Sequence, residues 1–311
     1  MNVHLALLLL VVASGCATSQ RPTTVGATDP GRLPSAHQTA SVSGLRPCDG
    51  GAARALHLDP SQPVSILVYG RKGSAAGFRR LAEALAARGQ QTVCFDYDGR
   101  ASLMQASGEL VRSVEQLAQH LDAPRITLVG HSLGGLVARK ALVRDRPGAL
   151  RTADIELGLV TVSAPFSGVA MARACANPVL RVATLGIVDL GCWLISGDAW
   201  FEITPASGFI RQPGELVPQV RRHLLVVTDE RGACRRRDEA GRCVEDDYVL
   251  SVAEQQLPAG PSPRTTVVEV AAGHSEIIGS PDVPPQGLID VFQREGVLGR
   301  RQLASQGGAG P

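Results

Sequence analysis

Residues 128–142, LVGHSLGGLVARKAL, place Ser132 between two glycines where an apolar run meets a helical pattern. A turn from strand to helix within one or two residues strains the backbone of the middle residue and crowds the positions two residues away. Gly130 and Gly134 relieve that crowding, and the turn lifts the serine hydroxyl beside the positive end of a helix. The pattern predicts that Ser132 is a nucleophile.

A serine hydroxyl is a weak nucleophile at neutral pH and needs a base to accept its proton. His274, in VEVAAGHSEII, follows the last strong strand pattern, where a loop can carry its imidazole over the sheet edge. We therefore expect His274 to be the base. The other histidines suit this position less, because they adjoin the serine, begin or end predicted elements, or lie outside the fold: His131, His120, His57, His223, His4 and His37.

The base in turn needs a carboxylate that orients its imidazole. Three aspartates follow the predicted strand HLLVVT, residues 223–228. We favour Asp247, because the apolar residues after it, in DYVLS, can hold the acid against the sheet edge. Asp229, which begins a charged loop directly after the strand, and Asp246 remain alternatives.

Negative charge develops on the substrate oxygen during attack, and backbone amides aimed at that oxygen stabilise the transition state by a few kcal/mol. We expect one donor to be the amide of Leu133, directly after the nucleophile. The other is expected from the loop after the first predicted strand, YGRKGSAAGF, where Arg71 follows Gly70. The proposed role belongs to the Arg71 backbone and not to its side chain.

Strand and helix patterns alternate along the chain, as in a sheet of parallel strands connected by helices. The strand runs are apolar on both faces, as they must be when helices cover both sides of a sheet. The sequence therefore predicts an α/β fold. The predicted strands are 64–70, 91–97, 126–130, 157–163, 223–228 and 265–270, and the predicted helices lie around 76–88, around 110–121 and from Leu133 onward.

The alternation is interrupted between about residues 165 and 222. An insertion at this point lies beyond the carboxyl ends of the strands, where open α/β sheets bind ligands. It contains both tryptophans, Trp193 and Trp200, and an apolar segment over a pocket needs such bulk. We predict a cap; the alternative is that these residues complete an ordinary core.

Several motifs resemble those of the α/β-hydrolase superfamily, and within it bacterial lipases and esterases, over residues 46–295. GHSLGG is similar to their nucleophile motif, and VSAPFSG (162–168) is similar to the GTPHxG segment after the next strand. DYVLS (247–251) resembles the acid-bearing motif DGVVS, and GHSEI resembles the histidine motif GHxxL. EITPASGFI (202–210) is similar to the LTPGSxFL piece of lipase caps.

The resemblance implies the α/β-hydrolase fold, with a mostly parallel central sheet, helices on both faces and a cap after the strand that follows the nucleophile helix. It gives Ser132, Asp247 and His274 the roles of nucleophile, acid and base, in the family's chain order. Two positions depart from the motifs: Tyr69 stands where a histidine usually precedes the glycine of the oxyanion loop, and Tyr248 replaces the glycine after the acid.

The expected activity is hydrolysis of a small-molecule or lipid carboxylic ester through an acyl-enzyme. The same machinery could serve an acyltransferase or a thioesterase. An alternative of another class is a non-catalytic surface lipoprotein that uses the fold as a binding module.

The chain begins MNVHLALLLLVVASGCATSQ, with an apolar run that suits a secretory signal and is too short to span a bilayer. Its end resembles the lipobox of bacterial lipoproteins, in which the cysteine, here Cys16, is acylated. We expect a signal peptide over 1–15, export to the bacterial cell envelope and a membrane anchor at Cys16; an ordinary cleaved signal is the alternative. Composition predicts a flexible tether over 16–45, a hydrolase domain over 46–303 and a disordered tail over 304–311.

Without Cys16, the cysteines are even in number, which favours disulfides in an oxidising compartment. Closeness in sequence suggests the pairs Cys234 with Cys243 and Cys175 with Cys192, leaving Cys48 with Cys94. Six cysteines allow fifteen pairings, so this connectivity is a hypothesis.

The charge and the remaining motifs argue against other classes of partner. The 31 basic and 29 acidic residues are spread along the chain and give a net charge of +2, so nucleic acid is not expected as a partner. No CxxC or HxxxH spacing predicts a metal site, and neither a P-loop nor a GxGxxG predicts a nucleotide cofactor. The sequence does not indicate an oligomeric state.

Overall fold

The computed structural model describes residues 29–71, 73–176, 178–185 and 187–298. The predicted signal peptide, Cys16 and the predicted tail 304–311 lie outside these ranges. The strands are β1 (Gln38–Ala40), β2 (Leu45–Arg46), β3 (Leu56–Leu58), β4 (Val64–Val68), β5 (Gln91–Phe95), β6 (Arg125–His131), β7 (Glu156–Val162), β8 (Val220–Asp229), β9 (Cys234–Arg237), β10 (Cys243–Asp246) and β11 (Thr265–Ala271). The α-helices are α1 (Arg79–Ala86), α2 (Leu103–Ala118), α3 (Leu133–Ala141), α4 (Pro178–Ala183), α5 (Ile187–Ser196), α6 (Ala199–Glu202), α7 (Gly208–Arg211), α8 (Val252–Gln255) and α9 (Gln286–Arg294). Short 3₁₀ helices occupy Ala75–Phe78, Ala170–Ala176 and Glu276–Ile278.

In the described ranges, seven strands form one sheet in the order β11-β8-β7-β6-β4-β5-β2. Every neighbouring pair is parallel except β2 and β5, which are antiparallel. Strands β4 and β5 are buried along their whole length, as expected when both faces of a sheet are covered. The predicted α/β fold with a mostly parallel central sheet is therefore confirmed.

The parallel arrangement brings the carboxyl ends of β4, β6, β7 and β8 to one edge of the sheet. The residues that follow these strands are Tyr69, Ser132, Ser163 and Glu230. The chain returns to the same edge after β11, where His274 follows. This edge therefore collects the side chains that could do chemistry.

Residues 29–45 do not form the predicted tether. Strand β1 pairs with β3 and β2 pairs with β5, and Leu33, Ala40 and Val42 are buried. The amide of Thr92, on β5, donates to the carbonyl of Gly31 at 2.9 Å. Isolated apolar residues and backbone pairing with the sheet therefore order a segment that composition alone predicts to be loose.

The insertion between β7 and β8 forms the short helices α4 to α7 beyond the carboxyl edge of the sheet. Its first part exposes apolar side chains, whereas Ala199, Ile203 and Phe209 pack into the main core. The Glu202 carboxylate ties the segment to the body of the fold, since it accepts from the hydroxyl of Ser102 at 2.8 Å and from the amide of Leu103, at the start of α2. The insertion thus both covers the sheet edge and completes the core.

Two of the predicted disulfides are confirmed: Cys48–Cys94 joins the N-terminal segment to β5, and Cys234–Cys243 closes the β9–β10 hairpin. The third prediction involves the Cys175 side chain, which lies outside the described part of the structure. Disulfides are typical of exported proteins, so the bonds support export. No helix in the described ranges is both long enough and apolar enough to cross a membrane.

Candidate active site

Ser132 lies at the sharp turn between β6 and α3. Its backbone has φ 54°, a left-handed conformation that is rare for a residue with a side chain. A Cβ atom at Gly130 would overlap the backbone of Gly134, and one at Gly134 would overlap the carbonyl oxygens of Val68 and Tyr69, at the end of the neighbouring strand β4 and directly after it. Only glycine fits at these two positions, so the flanking glycines allow the strand, turn and helix to meet.

The structure brings His274 to Ser132, since the His274 Nε2 lies 3.0 Å from the Ser132 Oγ. The imidazole is nearly buried, and the loop that carries it follows β11. His131 supports this loop, because its Nε2 donates to the His274 carbonyl oxygen at 2.8 Å. Burial first, and then the nearby charge of His274, lower the pKa of His131 to about 3, so His131 is a neutral donor at neutral pH.

The carboxylate that faces the other side of the imidazole belongs to Glu230. Its Oε1 accepts from the His274 Nδ1 at 2.8 Å. This corrects the expectation that Asp247 orients the base. The alternatives, Asp229 and Asp246, are not there either: Asp229 pairs with the exposed Arg231 at 2.5 Å, and Asp246 accepts from the amide of Tyr248 at 3.3 Å.

Asp247 instead holds the loop on which His274 lies. Its Oδ2 accepts from the amides of Ser275 and Glu276, both at 2.9 Å, and its carbonyl oxygen accepts from the amide of His274 at 2.9 Å. Its Oδ1 pairs with Arg235 of the disulfide-closed hairpin at 2.7 Å. The Asp247 carboxylate is therefore fully occupied by the loop and the arginine, and the carboxylate at Nδ1 is that of Glu230.

The surroundings of Glu230 suit a buried negative charge. Oε1 also accepts from the hydroxyl of Ser163 at 2.7 Å, and Oε2 accepts from the amides of Val249 and Leu250 at 2.6 and 2.8 Å. Burial opposes ionisation, but the hydrogen bond and charge of His274, together with the two amides, outweigh it and hold the pKa of Glu230 below its usual range. Glu230 is therefore a carboxylate at neutral pH.

The alternation of β8 could have pointed to Glu230. Successive side chains in a strand face opposite sides, so Thr228 and Glu230 share a face and Asp229 has the other. Thr228 and Glu230 are 0% and 1% exposed, whereas the Asp229 side chain is 20% exposed. A carboxylate directly after a buried strand, on the same side as the buried Thr228, is the signal that could have identified Glu230.

The loop expected to stabilise the oxyanion lies against Ser132. A Cβ atom at Gly70 would lie 2.7 Å from the Ser132 Cβ, so only a glycine lets the loop approach this closely. Arg71 follows it, and its guanidinium lies 5.7 Å from the ring centre of Trp200. Leu133 is the first residue of α3, directly after Ser132. Both residues predicted to supply the donors line the same cavity as the serine.

Tyr69, which stands in place of the usual histidine, braces this loop. Its phenol donates to the Asp96 carboxylate at 2.9 Å and accepts from the amide of Tyr97 at 3.1 Å. The Tyr97 phenol donates in return to the Tyr69 carbonyl oxygen at 2.7 Å. Burial, opposed by the Tyr97 amide and reinforced by Asp96, raises the pKa of Tyr69 to about 12, so it stays neutral. The role of Asp96 is therefore structural.

A cavity of about 470 Å³ opens directly on the Ser132 and His274 side chains. Its walls are mainly apolar and include Phe78, Met171, Trp200 and Ile278. Met171 and Trp200 come from the cap, so the insertion forms part of the cavity. The arrangement can place an apolar substrate group beside a serine, a histidine and a carboxylate. In the described ranges, the structure contains no group of three or more histidine, cysteine, aspartate or glutamate residues suited to a metal ion.

Comparisons with known proteins agree with this fold. Residues 63–153 match the family model of the alpha/beta hydrolase fold. A search of curated proteins found no match. The chain is similar to the solved Bacillus licheniformis lipase BlEst2: the mature form has TM-score 0.52 and 17% identity over 77% of this chain and 94% of that chain, and the propeptide form has TM-score 0.54 and 18% identity over 77% and 51%.

The Staphylococcus hyicus lipase matches with TM-score 0.47 and 12% identity, over 76% of this chain and 94% of that chain. Likeness at such low identity shows the fold and not the reaction. The matched segment, the sheet order and the serine at its turn together show that the chain has the α/β-hydrolase fold, and it resembles bacterial lipases and esterases.

Proposed function

We propose that this protein is a serine hydrolase that cleaves carboxylic esters through an acyl-enzyme. The observation that carries the proposal is the continuous hydrogen-bonded chain from Ser132 through His274 to Glu230, at 3.0 and 2.8 Å, beside an apolar cavity. A nucleophile, a base and an orienting carboxylate in this order can perform acyl transfer.

In the first half of the reaction, the Ser132 Oγ attacks the ester carbonyl carbon while the His274 Nε2 takes the hydroxyl proton. The imidazole then carries a positive charge, which the buried carboxylate of Glu230 stabilises through Nδ1. The amides of Leu133 and Arg71 donate to the developing oxyanion. When the intermediate collapses, Nε2 returns the proton to the departing alcohol and leaves the acyl group on Ser132.

In the second half, a water molecule takes the position of the departed alcohol. His274 removes its proton, the hydroxide attacks the acyl carbon, and the same amides hold the second oxyanion. Collapse of this intermediate returns the proton to the Ser132 Oγ and releases the carboxylic acid.

The cavity walls support an apolar acyl or alcohol group as the substrate's binding portion. The described part of the cap continues this apolar character at the surface, where Met171, Leu185 and Ile187 are exposed. Such surface is typical of proteins that meet apolar ligands. We therefore propose a small-molecule or lipid ester as the substrate class.

The proposal is tested with a fluorophosphonate probe and a chromogenic ester. The wild-type protein is expected to be labelled and to hydrolyse the ester, and Ser132→Ala is expected to lose both. Ser113→Ala is a control, because Ser113 is a buried serine on α2 that does not line the cavity, and its hydroxyl donates to the carbonyl oxygens of Ser43 and Glu109. An unlabelled wild-type protein would instead favour the binding-module alternative.

We also propose that the protein is exported and anchored to the cell envelope by acylation of Cys16. The confirmed disulfides support export, and the lipobox-like sequence before Cys16 supports the anchor. Radiolabelled palmitate incorporation in cells that express the full chain tests this. Incorporation that disappears in Cys16→Ser supports the anchor, whereas release of the wild-type protein without label contradicts it.

A further inference from the structure

Ser163, the residue after β7, combines complete burial with an unusual backbone. It is 0% exposed and has φ 47°, in the left-handed region that favours glycine. When VSAPFSG is aligned with GTPHxG on Pro165 and Gly168, Ser163 falls at the first glycine of the motif. This chain therefore carries a side chain where glycine would be less strained. A strained residue beside a reactive group calls for a functional explanation.

The hydroxyl of Ser163 lies between the acid and the base. Its Oγ is 2.7 Å from the Glu230 Oε1 and 2.9 Å from the His274 Nδ1. The Thr228 hydroxyl lies 2.8 Å from the same Oγ and can donate to it. The Ser163 proton therefore goes to Glu230, and the Ser163 oxygen is a second acceptor beside the Nδ1 proton.

We propose that Ser163 is a positioning residue, which fixes the Glu230 carboxylate in line with the His274 Nδ1. The inference rests on the proposed function, because orientation matters only if His274 moves protons. Glu230 reaches the site with a long side chain, and the amides of Val249 and Leu250 hold only its Oε2. Oε1, the oxygen that contacts the base, accepts from the Ser163 hydroxyl at 2.7 Å, whereas the Thr228 hydroxyl lies farther from it, at 3.0 Å.

Replacement of Ser163 by glycine separates this role from a purely structural one. Ser163→Gly removes the hydroxyl but also removes the strain of a side chain at positive φ, so the fold should be retained. Ser163→Ala removes the hydroxyl and keeps the strain. If Ser163 only filled space, the glycine variant would keep its kcat.

We expect both variants to lose about tenfold in kcat with unchanged KM, a loss that corresponds to about 1.4 kcal/mol of transition-state stabilisation. KM should not change, because Ser163 lies behind His274 and the substrate cavity is lined by other residues. The proton NMR signal of the His274 Nδ1–H should shift in both variants. Ser113→Ala should change neither kcat nor that signal, because its hydroxyl bonds Ser43 and Glu109 instead of the site.

Full kcat and an unshifted Nδ1–H signal in a folded Ser163→Gly would overturn the inference. A fall in kcat that accompanies a lower melting temperature, with the signal unshifted, would also overturn it, since that result indicates a structural role. Failure of the proposed function is a separate result, because it appears as a wild-type protein that fluorophosphonate does not label. The NMR signal still tests the contact of Ser163 with His274 in that case.

Discussion

Replacement of Glu230 by glutamine tests which carboxylate orients the base. Glutamine keeps the length of the side chain but offers one oxygen instead of two. The amides of Val249 and Leu250 point at Oε2, so the glutamine oxygen should turn toward them and its NH₂ group toward the His274 Nδ1. The glutamine NH₂ group and the Nδ1–H group would then both be donors, so the imidazole instead carries its proton on Nε2. In that tautomer Nε2 cannot accept the proton of Ser132.

The size of the effect follows from the lost charge. The Glu230 carboxylate and the His274 imidazole are almost fully buried, with Oε1 and Nδ1 2.8 Å apart. Opposite charges about 4 Å apart attract by about 4 kcal/mol at an effective dielectric constant of about 20. The loss of this attraction in the transition state lowers kcat about a thousandfold. We therefore expect the kcat of Glu230→Gln to be about a thousandfold lower than that of the wild-type protein.

Asp247→Asn is the matched comparison, because it makes the same chemical change in the neighbouring buried carboxylate. Asparagine keeps an oxygen for the amides of Ser275 and Glu276 and loses the charge facing Arg235. The Arg235 side chain is 44% exposed, so solvent screens that ion pair and its contribution is at most about 1 kcal/mol. We expect kcat to fall less than tenfold.

The assay is steady-state hydrolysis of a chromogenic ester by each purified variant, with circular dichroism to establish folding. The reasoning is refuted if Asp247→Asn, while folded, loses more activity than Glu230→Gln. It is also refuted if Glu230→Gln retains more than about a tenth of the wild-type kcat.

Three further predictions concern stability, measured by urea denaturation. Gly134→Ala should lower the free energy of unfolding by about 3 kcal/mol or more, because the added Cβ would overlap neighbouring backbone oxygens. Gly208→Ala is the control and should leave stability unchanged, because the space at its Cβ position is open. Equal effects of the two substitutions would contradict this prediction. Loss of the Cys48–Cys94 disulfide, which spans 46 residues, should cost about 4 kcal/mol, and unchanged stability in the double alanine variant would contradict that value. The pKa values of Glu230 and Asp247 are below their usual range in the folded protein, so these carboxylates stabilise the fold fully above their unfolded-state pKa values of about 4. This stabilisation is lost as the pH falls through the lower pKa values of the folded state. Asp247→Asn should therefore make the free energy of unfolding less dependent on acid pH, and an unchanged pH dependence would contradict this prediction.

The nucleophile, the base and the strands behind them could be predicted from local sequence. The glycine at 130 is required by a clash with Gly134 within the same turn, although the glycine at 134 is required by the more distant Val68 and Tyr69. The strands are short apolar runs between helical patterns. His274 could be predicted because parallel strands end at a common edge, so a histidine directly after β11 has a short path to the serine.

The identity of the acid depended on contacts that local sequence does not record. Asp247 follows a hairpin whose Arg235 folds back onto it, and that contact, with the amides of the His274 loop, occupies the carboxylate that the motif resemblance favoured. Glu230 reaches the base because it directly follows β8 and lies on the same side of the strand as the buried Thr228. A shift of one residue at the end of that strand would place Asp229 there instead.

The N-terminal segment shows a second limit of composition. Residues 29–45 carry few apolar side chains, but β1 pairs with β3, β2 pairs with β5 at the edge of the central sheet, and Leu33, Ala40 and Val42 are buried. Whether a polar segment packs depends on the surface beside it, which is set by distant parts of the chain.

The most direct test of the account is a crystal structure of the protein after reaction with a fluorophosphonate. The account predicts a phosphonyl group on the Ser132 Oγ, with its oxygen in hydrogen-bonding distance of the Leu133 and Arg71 amides and with Glu230 on the His274 Nδ1. A phosphonyl group on any other residue, or Asp247 in place of Glu230 at Nδ1, would contradict it.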